Sequence, residues 1–226
     1  MLALLLGFSP ALQAAEPALT APELFLALRR AGEDDPRATL VDAQRQVATA
    51  PDAATRFWLL LATGRMHGNL GDLKAARGVF AQAESILATV PNAGPHLSLW
   101  LQQESTVLDL DMGDPAQFGP RMKQLREKVN QLGDPVLSCS TTAWELWGLI
   151  NTHNHDEAWL AAEQLEHCGH ATGLRYLEAF AQAGMGLIKS RTASSTTDMQ
   201  QVLTHFDRAL AALGDGNFRM RRAGLE

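Results

Sequence analysis

The sequence predicts an all-α fold, and three observations carry that prediction: composition, periodicity and punctuation. The 226 residues include 35 Ala and 35 Leu against 8 Val and 3 Ile. Ala and Leu lose little conformational freedom in a helix, whereas β-branched side chains suit strands, so this balance excludes a sheet protein. From Ala21 onward apolar residues recur at three- and four-residue spacing, and Gly, Pro, Asp or Asn interrupts them at helix-length intervals. With 46% hydrophobic and 19% charged residues the chain is globular rather than disordered. Its formal charge of -6 provides no broad basic surface to neutralise phosphates, which argues against a nucleic-acid partner.

Taken in order, residues 1–15 come first. They carry no charge and run from a Leu-rich stretch through Ser9-Pro10 to the small-residue tail Ala11 to Ala15. This pattern reads as a secretory signal peptide that lacks the usual basic start, with a buried N-terminal helix as the alternative. The stretch is too short to span a bilayer, and no later segment reaches the required length. The expectation is therefore an exported, periplasmic chain maturing near Glu16, with any membrane anchor lying beyond residue 226. The periodicity places helices at 21–31 and 36–49, making 16–50 an N-terminal cap. Further helices are placed at 52–69, 72–89, 94–111, 115–132, 136–152, 156–168, 171–188 and 198–213, filling a region of helical hairpins over 51–213. The polar stretch Lys189 to Thr197 reads as a surface loop. Residues 214–226 hold a new amphipathic start at 217, read as the beginning of a further, incomplete helix.

Internal repetition is the next signal. In Leu60 to Ala83, Gly64 and His67 precede the turn Gly71-Asp72, which is followed by Ala76, Phe80 and Ala83. Small residues let two antiparallel helices approach closely, and Phe80 fills the space between hairpins. Asp72, Asp114, Asp156 and Asp198 recur at one constant interval, each where a helix would start, and Asp is a strong N-cap. Trp58 aligns with Trp100, Gly64 with Gly148, Gly71 with Gly113, Phe80 with Phe206, and Ala83 with Ala209. This spacing resembles a degenerate tetratricopeptide repeat, with His67 where that family usually has an aromatic residue and a period longer than the family's usual one. The resemblance implies a right-handed α-solenoid of antiparallel hairpins whose first helices line a concave wall. Carried over hairpin by hairpin, the family's inner-face positions become Arg65 and Asn69, Gln103 and Asp111, and Glu145 and His153, a surface suited to a protein or peptide partner.

Catalytic patterns are sparse. No phosphate-binding loop, nucleophile elbow or His-Glu-x-x-His helix occurs, and Gly184-Met-Gly186 is too short for a dinucleotide fingerprint. Asp109 and Asp111 fall on different helix faces. His153 and His155 are separated from His167, Cys168 and His170 by the length of a helix, about 18 Å, so one metal ion cannot bridge them. No cofactor or metal is expected, and the chain reads as non-enzymatic. Together with the signal-like start, the repeats resemble the extracytoplasmic input region of bacterial membrane GGDEF diguanylate cyclases, which implies a sensory module preceding a downstream cyclase. Alternatives are a free periplasmic scaffold or assembly factor, and the helical body of a cell-wall hydrolase. The only cysteines, Cys139 and Cys168, flank a hairpin turn near Asn154 at nearly equal distances along the chain. Both therefore sit about 21–23 Å from the turn on antiparallel helices, facing each other as a disulfide, with packed thiols as the alternative.

Overall fold

A computed structural model describes residues 20–111, 115–172 and 174–213. It is all-helical: α1 (Ala21–Asp34), α2 (Pro36–Ala48), α3 (Ala53–Asn69), α4 (Leu73–Leu87), α5 (Pro95–Asp111), α6 (Pro115–Leu132), α7 (Pro135–Asn151), α8 (His155–Thr172), α9 (Arg175–Ser190) and α10 (Thr196–Leu213). The leader at 1–15, the helix start at 217 and the turn residues Gly113 and Asp114 lie outside the described residues.

Helix starts follow from capping chemistry, because the first turn leaves amide donors without intrahelical partners. The Asp35 side chain accepts from the amides of Arg37 and Ala38, Asp52 from Thr55, Asp72 from Ala75, and Asp134 from Leu137. Pro36 and Pro135 then occupy first helical positions, where a missing N–H costs nothing. Gly71 and Gly133, with φ of +76° and +73°, turn the chain between α3 and α4 and between α6 and α7 in a conformation that disfavours side chains.

The evenly spaced aspartates are not structurally equivalent. Asp72 caps α4, but Asp156 is already the second residue of α8 and Asp198 the third of α10. Ser195 is the reciprocal partner of Asp198: the Asp198 amide donates to Ser195 Oγ at 3.1 Å, and the Ser195 amide donates to the carboxylate at 3.0 Å. Helix α8 also runs through Gly169 to Thr172 rather than ending at 168. A Cβ at Gly169 would meet Glu178 of α9, so this glycine provides a close helix crossing and not a stop.

Each helix packs on the next. In addition α1 touches α3, α3 touches α5, α5 touches α7 and α7 touches α9, so the odd-numbered helices share one layer. Phe80 of α4 fits against Gly64 of α3, and Phe206 of α10 against Gly186 of α9, close approaches that a Cβ would obstruct. Gly148 is covered by Phe118 of the preceding α6, so it is not the counterpart of Gly64 that the repeat alignment makes it.

Two apolar clusters result. The first gathers Phe25, Trp58, Phe80, Trp100, Phe118 and Leu137 with their neighbours, and the second gathers Cys139, Leu146, Leu165, Leu177 and Ile188. Helix α7 contributes to both.

Candidate functional site

A buried polar cluster lies within the odd-numbered layer, built from α1, α3, α5 and α7. Glu104, fully buried on α5, faces two guanidinium groups: Arg65 Nε donates to its Oε2 at 2.6 Å, and Arg29 Nη1 stands 3.4 Å from its Oε1. The Arg65 Nη2 also approaches the same carboxylate. Ser140 Oγ on α7 accepts from Arg29 Nη1 at 3.2 Å and from Gln103 Nε2 at 2.9 Å. Thr141 Oγ1 completes the link by donating to Gln103 Oε1 at 2.9 Å. The planar fork of arginine suits such an arrangement, since it offers several donors in fixed directions. Arg65 also lies over the Trp144 ring, 5.1 Å from its centre, a cation–π contact between α3 and α7.

Aromatic side chains border this cluster. The Phe25 ring sits 5.3 Å from that of Trp58 and 5.1 Å from that of Trp100. On the other side Trp144 and Trp147 of α7 both contact Phe180 of α9, at 6.4 and 6.3 Å. Phe25, Trp58 and Trp100 are buried, whereas Trp147 is 37% exposed. Of these tryptophans, Trp147 at the α7–α9 end is the exposed one.

The six positions expected on a concave wall have different fates. Arg65 and Gln103 meet in the buried cluster, so they hold helices together instead of lining an open surface. Asn69, the last residue of α3, is half-buried. Glu145 is half-buried, accepts two hydrogen bonds from Arg126 of α6, at 2.8 and 2.7 Å, and lines a cleft bounded by α6 and α8. His153 is exposed in the turn before α8, with φ of +60°, and its Nδ1 accepts from Arg191 at 2.6 Å. The Asp111 side chain lies outside the described residues.

Sequence reasoning missed Arg29, Glu104, Ser140, Thr141 and Trp144. The nearest signal was Arg65 inside the apolar run Leu59 to Met66; Glu104 stands among Gln102, Gln103, Ser105 and Thr106 and carries no such mark. The cluster's cross-helix pairs, Arg65 with Glu104, Gln103 with Ser140 and Gln103 with Thr141, lie closer along the chain than successive repeat aspartates do, so the repeat register does not superimpose them.

A cleft of about 550 Å³ between α6, α7 and α8 has Phe118, Met122 and Leu149 on its walls and Arg126 and Glu145 at its edge. Near the other end, Gln182 of α9 donates to Glu166 of α8 at 2.6 Å. That bond turns its carbonyl toward His205 of α10, whose Nδ1–H donates to it at 2.8 Å. Burial holds the His205 pKa below its ordinary value, helped by the charges of Lys189 and Arg208 and opposed by Glu166. Among the described residues no group of three or more His, Cys, Asp or Glu is placed to hold a metal ion, and no helix is long and apolar enough to cross a membrane. Cys139 and Cys168 lie at disulfide distance, with Cα atoms 5.7 Å apart.

No protein-family model, curated protein or solved structure matches this chain. The fold and site define an all-helical chain with a buried arginine–glutamate cluster and a disulfide-distance cysteine pair.

Proposed function

We propose that this chain is an exported, non-enzymatic helical-repeat module that binds a protein or peptide through its odd-numbered layer. In this reading the hairpins form a right-handed, tetratricopeptide-like solenoid, and the module is the sensory input region of a longer signalling protein such as a diguanylate cyclase. The carrying observation is Trp147, an exposed tryptophan beside Phe180 on a layer whose helices are cross-linked by the buried polar cluster. Exposed aromatic anchors on a pre-organised surface are what peptide and protein partners exploit, because little entropy is lost on binding. The cysteine pair supports export, since disulfides persist in oxidising compartments.

Panning a displayed peptide library against the immobilised full chain tests the binding role. Selected peptides are expected to lose at least tenfold in affinity for Trp147→Ala or Phe180→Ala. Selected peptides that bind these variants as well as the parent chain would place the partner elsewhere.

A further inference from the structure

We propose that α1 is an intramolecular occupant of a peptide-receptive seat on the odd-numbered layer, standing in for a partner helix that carries an aromatic residue and an arginine four positions apart. This rests on the binding role proposed above and names the chemistry of the partner. Helix α1 packs its backbone chiefly against α2 and α3. Two side chains, Phe25 and Arg29, extend further. Four residues apart, they share one helix face. Phe25 enters between Trp58 of α3 and Trp100 of α5, and Arg29 reaches Glu104 of α5 and Ser140 of α7. Both are almost fully buried. A buried aromatic and a buried arginine are the residue types that anchor protein interfaces, so α1 shows by its own contacts what the seat accepts.

The same layer continues past α1 to Trp144, Trp147 and Phe180. A partner helix that repeats the aromatic–arginine pair and also covers Trp147 makes a contact that α1 does not. Displacement requires such a difference in affinity between the two occupants.

Gly32 provides the test. A Cβ at this position would collide with Sδ and Cε of Met66, which is fully buried on α3. Gly32→Leu therefore crowds the contact between α1 and the Met66 side chain of α3 and is expected to loosen α1, while leaving both anchors and every residue of the seat unchanged. The probe is a labelled synthetic peptide with the sequence of residues 20–35, and its control has Ala in place of the Phe and of the first Arg. In the full chain, Gly32→Leu is expected to bind the probe at least tenfold more tightly than the parent, and to lose the control. A folded variant that binds neither peptide, or both equally, overturns the proposal. A concentration-dependent dimer assigns the seat to the α1 of a second copy and overturns it as well.

Should Gly32→Leu lose its helical signal, hydrogen exchange on the parent chain decides: amides of α1 exchanging well ahead of α3 support a displaceable helix, and equal protection rules it out. Failure of the probe while panned peptides still depend on Trp147 removes this proposal and leaves the binding module. Failure of both removes the module.

Discussion

Glu104 is the residue on which the inner layer depends. A fully buried carboxylate is costly to desolvate and is retained only where partners compensate it, here Arg65 and Arg29 from two other helices. Replacing it leaves both guanidinium groups without that carboxylate in a low-dielectric interior. Glu104→Ala is therefore expected to lower unfolding stability by about 3–5 kcal/mol, measured by urea denaturation, and a loss below about 1 kcal/mol, the level of an exposed ion pair, would refute the account. At the same scale, Cys139 and Cys168 were legible in the sequence because helix geometry converts distance along the chain into distance from the turn, and their Cα separation of 5.7 Å meets the requirement of a bridge. Alkylation without reductant, on protein directed to the periplasm, is expected to label neither thiol. Cys168→Ser should cost about 3–4 kcal/mol if the bridge acts by restricting the unfolded chain. Two labelled cysteines would overturn both the bridge and part of the argument for export. Glu104 and Arg29 were not legible in this way, because a pattern of polar and apolar residues assigns a charge to solvent and cannot reveal that three charges from three helices meet.

At the scale of elements, the helices were largely readable from caps and periodicity, and the errors fall where an evenly spaced aspartate is not the cap, as at Asp156 and Asp198, and where glycine changes role. Gly169 looks like a terminator in the sequence, yet it lies within α8 because Glu178 of α9 presses against it. Closeness to a neighbouring helix, which local sequence does not encode, decided that boundary. The C-terminal elements are joined by the chain of Glu166, Gln182 and His205, and this makes their packing sensitive to pH. Because burial lowers the His205 pKa from its ordinary value near 6.5, the unfolded chain takes up the proton first as pH falls. The sign follows: stability is full above about pH 6.5 and declines below it, until the folded state also protonates. Melting temperatures at about pH 8 and pH 5 should fall further for the parent chain than for His205→Gln, which keeps a donor toward Gln182 and cannot titrate. Parallel changes in the two proteins would show that His205 contributes no pH dependence.

Considered as a whole, the molecule is a succession of helices in near-neighbour contact, and such arrays owe their cooperativity to the interfaces between units. Two apolar cores share α7 as a wall: Leu137 belongs to the first, while Cys139, Leu146 and Ile150 belong to the second. The polar cluster crosses this boundary. Gln103, fully buried on α5, binds α7 twice, accepting from Thr141 and donating to Ser140. Beyond the second core, α10 packs chiefly on α9 among the described helices. If the cross-ties through Gln103 couple the two cores, the slowest amides of α3 and α9 in the parent chain exchange through one common opening. Gln103→Ala removes both ties and leaves Thr141 its bond to the Leu137 carbonyl, so α7 keeps its own helix while losing its hold on α5. In that variant the slowest amides of α9 should exchange at least about tenfold faster than those of α3, because the second core can open without the first. Equal acceleration in both helices would mean that Gln103 stabilises a single unit, and that the shared wall of α7 is sufficient on its own to couple the two cores.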